Sequence, residues 1–327
     1  VSNLQRIATG GMGTSFLASN LSELDDALRQ MIASIVAKSA IFYSVPTIEI
    51  DHLFSGNFIY TAAFRPARSG PWTGTVKKHC VEPPRRTNGL FSTNDKTCIF
   101  TSDDGKTLLT NPAVEDLWTG TTTTSATRGG SGLLLLDRLG AAGTAPSSSN
   151  LYPRKIMSWR PGVAAYVDVK PATWSNDDTF TTGPEHWRLV NGINGYTYAA
   201  NATGGPLLVS EWPYGDAIHT PTVLLRYGPD CEVAGKCFVL AATNDGLLHV
   251  HDAESGAETS ALVPAEIWRP TGVANEVLRG LQSQPDLDVT HRYYVDGGMS
   301  LFHDDTNGDG IIQTTETAYV VLGLGRG

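Results

Sequence analysis

The stretch between positions 238 and 263 reads FVLAATNDGLLHVHDAESGAETSALV, in which short apolar runs alternate with turn signals. The triplets Asn244-Asp245-Gly246 and Glu254-Ser255-Gly256 favour hairpin turns, because Gly and Asn tolerate the left-handed backbone of tight turns. Apolar residues flank both turns, so the stretch predicts three consecutive antiparallel strands. A strand and a turn about every ten residues are typical of a β-propeller blade or a β-sandwich.

The composition of the whole chain also favours a β-dominated fold. Of the 327 residues, 34 are Gly, 18 are Pro and 17% are charged, as in turn-rich proteins. Further strands are expected over residues 58–64 and 72–76, with a hairpin turn at 102–105. Residues 119–132 and 140–150 are expected to form exposed loops, and the four leucines at 133–136 a short buried segment.

The first 40 residues have a different pattern. Ser22-Glu-Leu-Asp25 resembles a helix capping box. Apolar residues then recur at helical spacing, namely Leu24, Leu28, Met31, Ile32, Ile35 and Val36. This amphipathic helix needs a sheet to cover, and Val1 is not an initiator Met, so we expect the chain to begin inside a longer precursor. Three regions follow: residues 1–40 end a first domain, 41–205 are β-rich with long loops, and 206–327 form incomplete propeller blades.

The charge of the chain excludes two classes of partner. The formal net charge is −9, and Lys and Arg form no run, so nucleic acid and anionic membrane surfaces are poor electrostatic partners. No stretch approaches the ~18–20 apolar residues of a membrane-spanning helix.

The four cysteines suggest an oxidising compartment. Two pairings are natural, Cys80 with Cys98 across a loop and Cys231 with Cys237 across a short turn. Neither a Cys-x-x-Cys pair nor a Cys/His cluster indicates zinc. The alternative is four reduced thiols.

Residues 305–316 match the calcium-loop pattern D-x-[DN]-x-[DN]-G-x5-E at every position. The pattern assigns these ligands: Asp305, Asn307, Asp309, the Ile311 carbonyl, Gln313 through a water, and Glu316. Gly310 would make the sharp turn of the loop. Residues 292–296 and 318–322 on either side are rich in β-branched and aromatic residues, so we expect a Ca²⁺ site on a β-hairpin. The alternative is a metal-free surface turn.

Other constellations carry weaker signals. His249 and His251 are two apart on a predicted strand and would share one face, which suits a structural pair better than a catalytic one. Glu211, Asp216 and His219 lie close in sequence, but a catalytic triad would also need a nucleophile brought to them by the fold, which the sequence does not identify. The acidic turns at 103–105 and 176–178 lack the full ligand series. Seven dispersed Trp residues can stack on sugars, although core packing is the commoner role.

Several segments in order resemble the PilC/PilY family of type IV pilus-associated proteins. They are residues 5–11 with the helix that follows, 60–64 with Trp72-Thr-Gly74, 215–221, 242–256, 292–297 and 322–327. The first resembles the closing strand and helix of a von Willebrand factor A domain, whose metal-binding D-x-S-x-S is absent here. The others resemble the motifs Y-x-A-x-F…W-x-G, G-D-I-x-H-S-x-P, A-N-D-G-M-L-H, R-x-F-V-D-G and G-L-G-x-G-G-R-G.

This resemblance implies a non-enzymatic, extracellular protein at the pilus tip. It would bind Ca²⁺ through an EF-hand-like loop in a β-propeller, contact minor pilins during pilus assembly, and adhere to a surface or host ligand. The alternative is a secreted quinone-dependent dehydrogenase, whose propellers carry similar blades. Such an enzyme needs a ring of blades converging on its cofactor, and this chain has room for only a few.

Overall fold

The computed structural model describes fourteen stretches of the chain, and the structural statements below concern these alone. They are residues 42–43, 47–50, 55–67, 72–81, 98–101, 109–110, 114–121, 129–141, 152–160, 163–170, 173–174, 190–198, 207–268 and 293–324. The chain divides into two compact units, 1–41 and 42–327, and every described residue belongs to the second. The helix predicted over residues 22–36 and the acidic turns at 103–105 and 176–178 lie outside the described residues.

The second unit is mainly β, as predicted. Its strands are β1 (Phe42–Tyr43), β2 (Thr47–Ile50), β3 (Ser55–Arg65), β4 (Thr73–Cys80), β5 (Phe100–Thr101), β6 (Leu109–Thr110), β7 (Ile156–Arg160), β8 (Ala165–Asp168), β9 (Tyr196–Tyr198), β10 (Leu207–Val209), β11 (Val223–Arg226), β12 (Cys237–Thr243), β13 (Leu247–Asp252), β14 (Glu258–Val263), β15 (Met299–His303) and β16 (Ala318–Leu322). The helices are α1 (Gly130–Ala141) and α2 (Ala265–Trp268). Within the described stretches, no helix has the length and apolarity needed to cross a membrane.

The largest sheet contains six strands in the order β11-β12-β13-β14-β7-β8. Strands β11 to β14 form an antiparallel meander, and Gly246 (φ 89°) and Gly256 (φ 73°) occupy its two predicted turns. The three strands predicted between residues 238 and 263 are therefore confirmed. Beyond them β14 pairs in parallel with β7, so the sheet is wider than a four-stranded blade. A ring of repeated blades is not seen among the described residues, and the propeller stays a prediction.

A second sheet contains β3, flanked by β2, β1 and β4. The strands predicted at 58–64 and 72–76 lie within β3 and β4, while β5 and β6 pair on either side of the turn predicted at 102–105. Gly74 of β4 touches the 207–268 stretch: its amide donates to the Tyr214 carbonyl (3.1 Å), and a Cβ at Gly74 would lie 2.1 Å from the Gly215 oxygen. A side chain at position 74 would therefore force these backbones apart.

Helix α1 corrects the loop predicted up to residue 132. The amide of Gly130 donates to Asp116 Oδ2 (3.0 Å) and that of Gly132 to Thr75 Oγ1 (3.0 Å), so distant side chains satisfy the first amides of the helix. Leu135 and Leu139 are fully buried. Of the four leucines at 133–136, only Leu135 is buried and the other three are half-buried, so the buried segment predicted there is confirmed only in part. The segment is a helix whose first amides are satisfied by residues distant in the chain, and these leave no local signal.

Two hydrophobic cores lie on opposite faces of β12. Leu240 belongs to a cluster with Ile156, Val190 and Leu247, whereas the adjacent Val239 belongs to a cluster with Tyr60, Val76, Leu135 and Tyr214. Because successive side chains of a strand point to opposite faces, β12 separates the two clusters.

Both predicted disulfides form, Cys80 with Cys98 and Cys231 with Cys237. Loop-closure entropy assigns about 3 kcal/mol to the first and about 2 kcal/mol to the second. Two such bonds fit a secreted or extracellular protein.

Candidate metal centre and buried ionic cluster

The predicted calcium loop joins β15 to β16, which pair from Met299↔Leu322 to His303↔Ala318. The strand predicted at 318–322 is confirmed. The strand predicted at 292–296 is wrong over residues 293–296, which are irregular; β15 begins at Met299. The reason is that this backbone bonds elsewhere: the Tyr294 amide donates to Asn244 Oδ1 (3.0 Å) and the Gly297 amide to the Gly323 carbonyl (2.9 Å).

The loop backbone has the turns that its sequence pattern predicts. Gly308 (φ 75°) and Gly310 (φ 70°) are both left-handed, which favours glycine. The Asp305 carboxylate accepts hydrogen bonds from the amides of Gly308 (2.8 Å), Asp309 (3.2 Å) and Gly310 (2.8 Å). Asp305, at loop position one, therefore holds the turn at Gly310, loop position six.

The remaining carboxylates of the loop also accept hydrogen bonds. Asp309 accepts from the Ile311 amide (2.8 Å), and Glu316 accepts from the amides of Thr306 (3.0 Å) and Gln313 (3.1 Å). His303 Nε2 lies 3.0 Å from Glu316 Oε2. Desolvation would raise the pKa values of Asp305 and Glu316, but the hydrogen-bond donors together outweigh it and lower both, so both stay ionised as calcium ligands must be.

Donor chemistry and backbone fit a hard cation, but the side chains do not converge on one point. Across the described stretches, no group of three or more His, Cys, Asp or Glu side chains is placed to hold a metal ion. Asn307 Nδ2 and Gln313 Nε2 instead donate to Asp309 Oδ2 (3.0 Å each). Cation binding would require Asp309 to give up these two donors and Glu316 to give up its contact with His303. The ligand set Asp305, Asn307, Asp309, Ile311, Gln313 and Glu316 stays a prediction.

A second group of polar side chains, the buried ionic cluster, comprises the buried Arg154, Glu258 and His249 and, at its edge, Asp245, whose side chain is 23% exposed. Arg154 Nε and Nη2 donate to the two Glu258 oxygens (2.8 and 2.7 Å), and both side chains are 1% exposed. His249 Nδ1 lies 2.7 Å from Glu258 Oε1, and its Nε2 lies 3.3 Å from Asp245 Oδ2. The cluster therefore connects β13, the start of β14 and Arg154, which lies two residues before β7.

The charges of this cluster compensate one another. Burial alone would lower the pKa of His249, but the carboxylates of Asp245 and Glu258 outweigh it and raise this pKa. Burial would raise the pKa of Glu258, but Arg154 and His249 lower it instead. With His249 protonated, two cations meet two anions, so the cluster itself carries no net charge.

The pKa of His251 shifts in the opposite direction to that of His249. Both rings are fully buried and stack nearly in parallel, which confirms their predicted common face. Burial, with the charge of His249, lowers the pKa of His251 to about 3. Its Nε2 lies 2.9 Å from the Tyr214 hydroxyl, whose ring stacks on His249 at 4.3 Å. The pair is thus a packing element with one protonated and one neutral ring.

The acidic residue that pairs with His219 comes from a distant part of the chain. Asp216 Oδ2 accepts from Asn244 Nδ2 (2.8 Å), and Glu211 is exposed. His219 instead pairs with the buried Asp296, at 2.6 Å between Nδ1 and Oδ2. This pair joins the 215–222 segment to the 293–298 segment.

One feature was not predicted, an open cavity of about 410 Å³ beside β7, β8 and α2. Its lining includes Trp159, Tyr166, Pro264 and Glu266. Seven dispersed Trp residues gave no reason to single out Trp159. The sequence did contain a signal for pairing these two rings: Trp159 and Tyr166 lie on either side of a short turn, so a hairpin there would make them cross-strand neighbours.

Comparisons with known proteins identify no relative. Neither a family model, nor a curated protein, nor a solved structure matches the chain. The resemblance to the PilC/PilY family therefore rests on the ordered motifs alone.

We predict that His251→Gln flattens the acid dependence of stability. The folded protein keeps His251 neutral, whereas the unfolded chain binds a proton below about pH 6.5. The unfolded state therefore binds more protons, and the free energy of unfolding falls by ~1.4 kcal/mol per pH unit as the pH drops below that value. His249, whose pKa is raised, and His79, whose pKa is lowered, add slopes of their own, but both are present in wild type and variant and cancel in the comparison.

Urea denaturation between about pH 6 and pH 5 measures this slope, because most carboxylates titrate at lower pH. The His251→Gln profile should be flatter than the wild-type profile by nearly one proton. Parallel profiles would show that His251 is protonated in the folded protein.

Proposed function

We propose that this chain is part of a calcium-binding, type IV pilus tip-associated protein that supports pilus assembly and surface adhesion. The observation that carries the calcium assignment is the loop at 305–316, whose donor series is complete and whose first carboxylate already organises a turn with Gly310 left-handed. The pilus assignment is supported by the ordered motifs, and the two disulfides are compatible with an extracellular location.

The hairpin of β15 and β16 has a structural use for a cation. Its outward face is little buried, with Phe302, Tyr319 and Val321 each about 60% exposed. Its inward face packs through Met299, Val320 and Leu322, and the Ile312 amide donates to the Arg226 carbonyl (2.7 Å). Since a two-stranded hairpin is marginal alone, a cation that draws the loop carboxylates together would tie β15 to β16.

The size of this effect follows from mass action. With a dissociation constant of about 10 µM and about 1 mM external Ca²⁺, binding adds about 2.7 kcal/mol to the free energy of unfolding. That is a large share of the roughly 5–15 kcal/mol of a typical protein. In this proposal adhesion and assembly depend on calcium because calcium fixes the hairpin.

We predict that Asp309→Ala abolishes calcium binding measured by isothermal titration calorimetry. The variant removes the ligand at loop position five, whereas Asp304→Ala, one residue outside the pattern and exposed, serves as the matched control. Wild type and Asp304→Ala should bind Ca²⁺ with similar affinity and prefer it to Mg²⁺, since the loop offers more oxygens than Mg²⁺ takes. Unchanged affinity in Asp309→Ala would refute the assignment of the loop.

The pilus assignment predicts that the chain captures minor pilins from solution, more strongly with Ca²⁺ than with chelator. Asp304→Ala should retain the calcium effect and Asp309→Ala should lose it. Capture that fails with calcium-loaded protein would remove the pilus assignment while leaving the calcium site standing. A quinone absorbance in the purified protein would instead favour the dehydrogenase.

A further inference from the structure

The cavity beside β8, here called the aromatic pocket, is lined by Trp159, Tyr166, Leu262, Val263, Pro264, Ala265 and Glu266. Strand β8 lies at the edge of the six-stranded sheet, and α2 follows β14 directly after Pro264. The aromatic pocket therefore lies between the strands β7 and β8 on one side and the short helix α2 on the other. Neither the calcium loop nor the buried ionic cluster contributes to it.

Two exposed aromatic rings line the aromatic pocket. Trp159 and Tyr166 are cross-strand partners on β7 and β8, and their rings meet at 5.4 Å with an interplanar angle of 73°. Their residues are 37% and 57% exposed, although large aromatic side chains are usually buried. Two nearly perpendicular rings make a corner in which a small group contacts the π-face of one ring and the edge of the other.

A carboxylate completes the lining. Glu266 lies in α2 and lines the same cavity as the two rings, and the lining exposes polar as well as apolar surface. Glu266 is the only charged side chain among the described lining residues, so the pocket favours a ligand that carries a positive charge. A compact organic cation needs only aromatic faces and one negative charge, and the net charge of −9 favours its approach.

We propose that the aromatic pocket binds a quaternary ammonium group of the choline type. The methyl groups would contact the Trp159 and Tyr166 rings, since such cations bind aromatic faces within about 6 Å of the ring centroid. Glu266 would face the positive charge. The ligand is either a free choline-type solute or a phosphatidylcholine headgroup, which share this chemistry. The proposal is independent of the calcium loop and of the pilus assignment.

The first test is calorimetry of the full chain with choline and with 3,3-dimethylbutan-1-ol, its neutral carbon isostere. The two ligands have the same shape, so their difference isolates the charge. Choline should bind at least about tenfold more tightly, which corresponds to roughly 1.4 kcal/mol. Equal binding of the two, or no choline binding up to about 10 mM, would overturn the proposal.

Variants locate the binding. Glu266→Gln keeps the size of the side chain and should weaken choline binding about tenfold, and Tyr166→Leu should weaken it by at least as much. Tyr166→Phe keeps the ring and should stay within about threefold of wild type. The matched control is Tyr319→Leu, which removes an equally exposed tyrosine from β16 and should change nothing. Choline binding unaffected by both Glu266→Gln and Tyr166→Leu would place the ligand elsewhere and overturn the proposal.

Vesicle flotation distinguishes the two sources of the ligand. Flotation with phosphatidylcholine vesicles but not with phosphatidylglycerol vesicles, lost in Tyr166→Leu, identifies the headgroup as the ligand. Choline binding without flotation identifies a free solute. Flotation with both lipids that persists in Tyr166→Leu would mean that the aromatic pocket does not recognise the headgroup.

Discussion

The pairing of Glu258 with Arg154 is the interaction on which the described structure depends most. Glu258 begins β14, and Arg154 lies two residues before β7, so the pair sits where the antiparallel meander meets its parallel neighbour. Arg154 also donates to the Ile193 carbonyl (2.7 Å), and Arg138 of α1 donates to the Glu258 carbonyl (2.7 Å). One acidic residue and its neighbours thus connect the sheet, α1 and the 190–198 segment.

A buried ion pair of this kind is tolerated in a core because each charge of the cluster lies next to an opposite charge. Removing one partner of a buried ion pair costs about 3–5 kcal/mol, since the other charge is left without compensation. His249 and Asp245 extend the compensation, and the neutral His251 closes it toward Tyr214. The demand for this set of polar groups explains why β13 carries two histidines on a buried face.

The features that could be predicted from sequence are those with local signals. The turns at Gly246 and Gly256, strands β3, β4, β12, β13 and β14, and both disulfides follow from turn chemistry, β-branched runs and cysteine spacing. The ligand series of the calcium loop and its Gly310 turn were equally local.

The misses depend on residues far apart in the chain. Helix α1 begins at Gly130 because Asp116 and Thr75 accept its first amides, and no pattern near Gly130 announces that. The sequence predicts a strand at 292–296, but residues 293–296 are irregular, since the Tyr294 amide bonds to Asn244 and the adjoining Gly297 amide to Gly323. The Arg154–Glu258 pair spans 104 positions, and the aromatic pocket combines residues from β7, β8 and α2. Pairings of this kind become visible only once the chain is folded.

The peripheral hairpin contrasts with this core, because its stability comes from few buried contacts and from hydrogen bonds within its own loop. The most direct test of the proposed Ca²⁺ site is a crystal structure of the chain from crystals grown with Ca²⁺. We expect an ion between β15 and β16, with oxygens of Asp305, Asn307, Asp309 and Glu316 and the Ile311 carbonyl at about 2.3–2.6 Å, and with Glu316 released from His303. A loop that keeps the His303–Glu316 contact and holds no ion at saturating Ca²⁺ would contradict the account.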